Sequence, residues 1–233
     1  MEPISAVILD LDGLMIDTER AARKAWRRAA RHFGYTMNDT LFARLSGRKA
    51  EDGRRIMFDT LGEDFPYAEV RQRRDKYLIQ AFHRGEIGPM PGLYDLLKTI
   101  DALALDAAIA TSGSREITPL KLSALELDER FDVVVCAEDV EHGKPAPDIF
   151  LEAARQLDVP PSRCVVLEDS DAGARAAHAA GMRVIVIPEF EDPAEDVQSI
   201  AWRVLPSLHE AADHLAEAVE RKGQTHAQPA ASD

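Results

Sequence analysis

Cysteine is scarce: Cys136 and Cys164 are the only two in 233 residues. That excludes a disulfide-stapled scaffold and a cysteine-rich zinc site. Each lies at the edge of an apolar, strand-like run, where a small thiol reads as packing. Long apolar runs are missing too. None approaches the ~18 residues of a membrane span, and no basic-then-apolar leader opens the sequence, so neither insertion nor export is expected and the location reads as cytoplasmic. Glycine and proline stand at 13 each, against 45% hydrophobic residues, a globular balance that can bury the core of one large or two modest domains. Positive charge is in deficit, with 28 Lys and Arg against 41 Asp and Glu and a net −13, which argues against a nucleic-acid surface. The deficit is uneven. Residues 17–89 hold 16 Lys and Arg against 11 Asp and Glu, and the remainder holds 12 against 30. A basic segment beside an acidic body suits a small anionic ligand, although a solvated helix face produces the same excess.

What is present is organised around Asp10-Leu11-Asp12-Gly13. The preceding Ala6-Val7-Ile8-Leu9 has no polar interruption, the pattern of a parallel strand buried on both faces, so Asp10 leaves the sheet at a carboxyl end. Ligands of open α/β sheets bind there, and the alternation of an extended backbone sends Asp10 and Asp12 roughly the same way. An Asp-Gly pair after a strand is also the ordinary signature of a turn.

More than seventy residues separate Asp12 from Pro91, far beyond a usual strand-to-helix connection, and they carry helical periods of their own. Thr18 is placed to cap a helix with apolar positions Ala21, Ala22, Ala25, Trp26, Ala29 and Phe33, ending at Gly34. A second helix begins at Asp39 or Thr40 and breaks at Ser46-Gly47; a third stops at Gly62; a fourth opens at Pro66. The expected organisation is a core of residues 1–16 and 90–220, a helical insert of residues 17–89 on two connections that permit hinge closure, and a disordered tail at 221–233. From Leu93 onward helix and strand patterns alternate as in a doubly wound, Rossmann-like parallel sheet, so the fold class is α/β. The expected strands are Ala107–Ala110, Val133–Val135, Val165–Leu167 and Val184–Ile187, with a short one near Trp202. Helices are expected at Leu93–Leu103, Glu116–Leu125, Asp148–Leu157, up to Ala180, and Ser207–Val219.

The polar residues at successive strand ends form a constellation: Asp10 and Asp12, Thr111 and Ser112, Lys144 before the fourth βα unit, and Glu168 with Asp169. Carboxylates of this kind suit Mg²⁺, which takes one or two of them beside retained waters and a substrate phosphate. Thr111 and the amides of the next helix start can hold phosphate oxygens, and Lys144 can neutralise charge on nucleophile and phosphoryl group. Singly, each motif also reads as a cap, a turn or a solvated loop.

With these residues in place the chain resembles the haloacid dehalogenase-like phosphohydrolases, and among them the branch containing β-phosphoglucomutase, over about residues 1 to 215. The four motifs are Asp10-Leu-Asp12-Gly13, Thr111-Ser112, Lys144-Pro145-Ala-Pro147-Asp148 and Glu168-Asp169-Ser170-Asp171-Ala-Gly173. The resemblance implies that Asp10 is the nucleophile of an aspartyl phosphate and Asp12 the general acid and base. It implies Mg²⁺ held by Asp10, the Asp12 carbonyl and Asp169, with Glu168 as ligand or behind the ligands, and Thr111 and Lys144 on the transferring phosphoryl group. The insert corresponds to a helical cap whose loop Ser46-Gly47-Arg48-Lys49 faces the substrate. The implied partner is a small phosphorylated metabolite, with no nucleic acid and no membrane, and the chain is expected to act as a monomer.

Asp12 favours phosphoryl chemistry over carbon–halogen cleavage, which needs no second acid. Ala22 stands where the mutase pattern has an early cap His, and Ala50 where it has an Arg three residues after the cap-loop Gly; Arg48, Lys49 and Arg73 are the substitutes at hand. A hydrolase is therefore expected, with a sugar phosphomutase as the alternative. A signalling receiver shares the acids, Thr and Lys but lacks the insert and Asp12, and a binding protein without turnover would not need all four motifs.

Overall fold

A computed structural model describes residues 2–45, 50–190 and 192–225. Six parallel strands, β1 (Ala6–Leu9), β2 (Asp106–Ala110), β3 (Val133–Val135), β4 (Cys164–Glu168), β5 (Arg183–Val186) and β6 (Arg203–Val204), lie in the order β3-β2-β1-β4-β5-β6. The order reverses at β1, so its carboxyl end opens at the switch point where doubly wound sheets bind ligands. In register, Leu9 pairs with Ile109 on one side and Leu167 on the other, which brings Asp10 and Glu168 out at one level with Thr111 one residue beyond.

Alternation along β1 feeds two hydrophobic layers. Val7 and Leu9 pack with Leu93, Leu96 and Ile100 of α5 (Leu93–Ala102) and with Leu208, Ala211 and Leu215 of α10 (Leu208–Thr225). Ala6 and Ile8 face Ile149, Phe150 and Ala153 of α7 (Asp148–Gln156) and Ala174 and Ala177 of α8 (Asp171–Ala179). Each large apolar side chain buried this way contributes about 1.5–3 kcal/mol.

Between β1 and α5 four helices form a layer of their own: α1 (Thr18–His32), α2 (Asp39–Leu45), α3 (Ala50–Leu61) and α4 (Tyr67–His83). Their core joins Ala29, Leu41, Phe42, Met57 and Val70 from the helical stripes with Met37 and Phe65 from the connections between helices. The two connections to this insert are tied together. Asp17 donates its amide to Gly88 at 3.0 Å and Met90 donates to Met15 at 2.9 Å, while Leu14, Met15 and Ile16 are buried. They form a short hydrogen-bonded ribbon, unlike the loose stretch that Gly85 to Gly92 suggests by composition.

Other differences are local. Thr18 is the first helical residue and not a side-chain cap: Asp17 precedes it, and the Thr18 amide turns back to the Ile16 carbonyl at 2.7 Å. The second helix has its cap in Asn38, whose Oδ1 accepts from the Leu41 amide at 2.9 Å. The helix expected from Glu116 is α6 (Thr118–Ala124), because the Ile117 and Thr118 amides first close a turn on the Ser114 carbonyl. A short α9 (Glu195–Ile200) has too few residues to show a period. The last helix passes Val219 and runs to Thr225, into the expected tail; Lys, Arg, Glu and Gln are good helix formers, and the buried start of α10 supplies the anchor. Among the described residues no helix is long and apolar enough to cross a membrane.

Candidate active site

Asp10 follows β1 and is 5% exposed. The Lys144 ammonium donates to Asp10 Oδ1, to Glu168 Oε1 at 2.5 Å and to the Ala110 carbonyl at 3.2 Å, joining the ends of β1, β2 and β4. Burial would by itself lower the Lys144 pKa, but Asp10 and Glu168 outweigh it and raise it. Burial pushes the Asp10 carboxyl up to about 7 against the pull of Lys144, with Glu168 and Asp12 adding to the rise.

Glu168 is fully buried and fully engaged. Its Oε1 meets Lys144, and its Oε2 accepts from the Asp169 amide at 3.0 Å and from the Ser170 amide and hydroxyl, each at 2.9 Å. It therefore holds Lys144 and the following turn. Ser170 goes on to cap α8 through the Gly173 amide at 3.1 Å. Asp169 lies against the turn after β1: a Cβ on Gly13, whose φ is +85°, would come within 2.2 Å of Asp169 Oδ2. Its carboxyl is raised well above the ordinary range, by burial and then by Glu168 and Asp10, with Lys144 opposing.

Glycine is equally obligatory at residue 173, where a Cβ would fall 1.8 Å from Glu168 Oε1. Gly173→Ala is expected to push Glu168 off Lys144 and to cost about 1–3 kcal/mol of stability together with most activity. Thermal melting and turnover should fall together; a variant that melts and works like wild type would show that Glu168 is not needed where it stands.

Asp12 points to the other side. Its two oxygens accept from the Lys121 ammonium at 2.6 and 2.5 Å, and the Thr111 hydroxyl stands 3.4 Å from Oδ2. Thr111 is buried and its Oγ1 accepts the Gly113 amide at 2.9 Å, whereas Ser112 is exposed at the loop surface. Lys121 is absent from the sequence reading. The signal was available, since Thr118, Lys121, Leu122 and Leu125 share one helical stripe and a lysine there needs a buried partner. Gly47, Arg48 and Lys49 lie outside the described residues.

A cleft of about 510 Å³ opens between the sheet's carboxyl edge and the helical insert; Asp12 and Asp169 line it, and Asp10, Thr111, Lys144 and Glu168 do not. The insert contributes Ala22, Trp26, Phe42, Tyr67 and four arginines, Arg23, Arg54, Arg71 and Arg74. Arg74 lies over Trp26 at 4.9 Å and Arg54 over Tyr67 at 5.5 Å, so this wall pairs cations with flat apolar surface. Burial holds Arg74 below the usual guanidinium range. Arg73 turns into the insert, donating to the Tyr77 hydroxyl at 3.2 Å.

A family model described as haloacid dehalogenase-like hydrolase matches residues 7–187. The chain is 34% identical over 185 residues to fructose-1-phosphate phosphatase YqaB of Escherichia coli, covering 79% of this chain and 96% of that protein. It is 31% identical to the phosphorylated carbohydrates phosphatase of Thermotoga maritima, over 78% of this chain and 84% of that protein. Among solved structures, a HAD family hydrolase from Deinococcus radiodurans with bound phosphate and sodium superposes with a TM-score of 0.79 at 28% identity, covering 93% of this chain and 96% of the other.

Proposed function

The chain belongs to the haloacid dehalogenase-like hydrolases, and we propose that it is a Mg²⁺-dependent phosphatase of small phosphorylated metabolites working through an aspartyl phosphate on Asp10. It is a phosphoric monoester hydrolase by its family and its phosphatase relatives. The observation that carries the finer reading is the bridge of Lys144 between buried Asp10 and Glu168, with Asp12, two residues along from Asp10, lining the arginine-walled cleft.

The donor set fits a hard divalent cation. Asp10, Glu168 and Asp169 crowd one buried site against the single ammonium of Lys144, an excess of negative charge that desolvation penalises and a dication would balance. Among the described residues no group of three His, Cys, Asp or Glu side chains is placed to hold a metal ion by itself; two carboxylates, which Asp10 and Asp169 would supply, with the Asp12 carbonyl and waters are a set that Mg²⁺ takes. When bound it supplies positive charge to the phosphoryl oxygens.

Phosphate-monoester hydrolysis needs on the order of 20 kcal/mol or more of transition-state stabilisation. An Asp10 oxygen attacks phosphorus in line, the ester oxygen leaves, and Asp12 protonates it. Water then gives its proton to Asp12 and attacks the same phosphorus, releasing phosphate and restoring Asp10. Lys144 and Thr111 hold the phosphoryl oxygens, and Lys121 orients Asp12. The helical insert, residues 17–89, acts as a cap that excludes water, its arginines drawing in the anion.

The test is a screen of phosphorylated metabolites with phosphate release and positional isomers both measured. A mutase must grip a second phosphate while a bisphosphate reorients, and Ala22 puts a methyl group in the cleft where an imidazole would serve that purpose. Hexose phosphates are expected to release inorganic phosphate with little isomer and no acceleration by a bisphosphate primer. Primer-dependent conversion of a hexose 1-phosphate to its 6-phosphate, faster than release, would make the enzyme a mutase.

A further inference from the structure

Glu189 follows β5 in a loop that faces α1, and its side chain is 5% exposed. It lines the same cleft as Asp12 and Asp169, yet neither carboxyl oxygen meets a hydrogen-bond donor among the described residues. Among the described residues the neighbouring cations Arg20 and Arg23 make their nearer contacts elsewhere. Arg20 stands 3.9 Å from Oε1 but closer to Asp17, at 3.4 Å. Arg23 donates to Glu19 at 3.0 Å and lays its guanidinium over the Phe190 ring at 3.8 Å. Burial, helped by Asp17 and Glu19 and opposed by Arg20 and Arg23, pushes the Glu189 carboxyl up to about 7.

A buried carboxyl without a donor is costly to keep. At the wall of a substrate cleft, the group that can supply the donor is the substrate. An ammonium group would meet Arg23, Arg54 and Arg74 in the same cleft. A hydroxyl meets no such repulsion, and because it both donates and accepts it suits the carboxyl in either protonation state.

We infer that Glu189 is a specificity-determining residue that takes a hydroxyl of the substrate's carbon skeleton, selecting phosphorylated polyols and sugars over esters whose leaving group bears no hydroxyl. This deepens the phosphatase reading and rests on it. Hydroxyl recognition here is binding energy drawn from a part of the substrate remote from phosphorus.

The test compares kcat/KM for sorbitol 6-phosphate and phenyl phosphate in wild type, Glu189→Leu and Glu189→Gln. In the Leu variant the ratio of the two is expected to fall about 10- to 100-fold, the range for a hydrogen bond to a charged group. Gln, which keeps a donor and an acceptor, should recover most of that ratio. Both variants should melt no lower than wild type, because Leu removes a buried group that meets no hydrogen-bond donor among the described residues. An unchanged ratio in the Leu variant, or a loss shared equally by both esters, would overturn the inference and make Glu189 part of the packing between loop and α1. Wild-type turnover of phenyl phosphate reports the phosphatase reading separately, and its absence together with that of sorbitol 6-phosphate turnover would remove both.

Discussion

Asp10→Asn is expected to leave phosphate release at background on every substrate the wild type hydrolyses. The change is nearly isosteric, so packing at the end of β1 should survive, but in the proposed mechanism it removes the attacking oxygen and a carboxylate for the cation together. It also relieves the crowding of acids around Lys144, so the variant should melt at or above the wild-type temperature while showing no turnover. Chelation of the wild type should produce the same silence, reversed by Mg²⁺. Substantial activity in the variant, or in the chelated enzyme, would mean that water attacks phosphorus without either.

Lys144→Met carries the second large effect. The ammonium touches both Asp10 and Glu168, so its removal leaves two buried carboxylates without their cation and, in the proposed mechanism, takes a positive charge from the phosphoryl oxygens. Loss of one such donor costs on the order of 10²- to 10³-fold in turnover, and breaking a buried ion pair costs about 3–5 kcal/mol. The stability loss should depend on pH. In the metal-free wild type Asp10 titrates at about 7 when folded, against an ordinary 3.8, so the folded state holds a proton that the unfolded state releases. Stability from this group is therefore full at acid pH, falls as pH rises through that window and levels off above it. Lys144 stays charged in both states until pH approaches its ordinary 10.5 and adds no slope there. In the Met variant Asp10 loses its cation and titrates higher, so the fall should continue above neutrality. Melting curves of the two metal-free proteins that run parallel across this range would contradict the bridge.

Much of this was legible because parallel-sheet physics is local in sequence. Ala6 to Leu9 reads as a strand buried on both faces, and an acid at its end must lie at a carboxyl edge; the order of the strands then brings Asp10, Thr111, Lys144 and Glu168 together. The insert was legible for a similar reason, since four amphipathic periods cannot belong to one connection. Less legible were features set by tertiary contact. Lys121 sits on a helix that carries no motif and becomes part of the site only because α6 packs beside Asp12. Glu189 lies in a loop after β5, where composition suggests solvent. Glu168 reads equally well as ligand or support, and its contacts with the amides of Asp169 and Ser170 depend on how the start of α8 is arranged. The ribbon of Met15 with Met90 and Asp17 with Gly88 joins residues distant in sequence, so Gly and Pro content alone made that hinge look loose.

The claim on which the account turns is the covalent bond between Asp10 and phosphorus. Rapid acid quench of the enzyme within its first turnover of a ³²P-labelled ester, followed by peptide mapping, tests it most directly. The expected result is protein-bound label that survives acid, is released by hydroxylamine as an acyl phosphate would be, maps to Asp10 and is absent from Asp10→Asn. Turnover with no protein-bound label on that timescale, or label on any other residue, would contradict it.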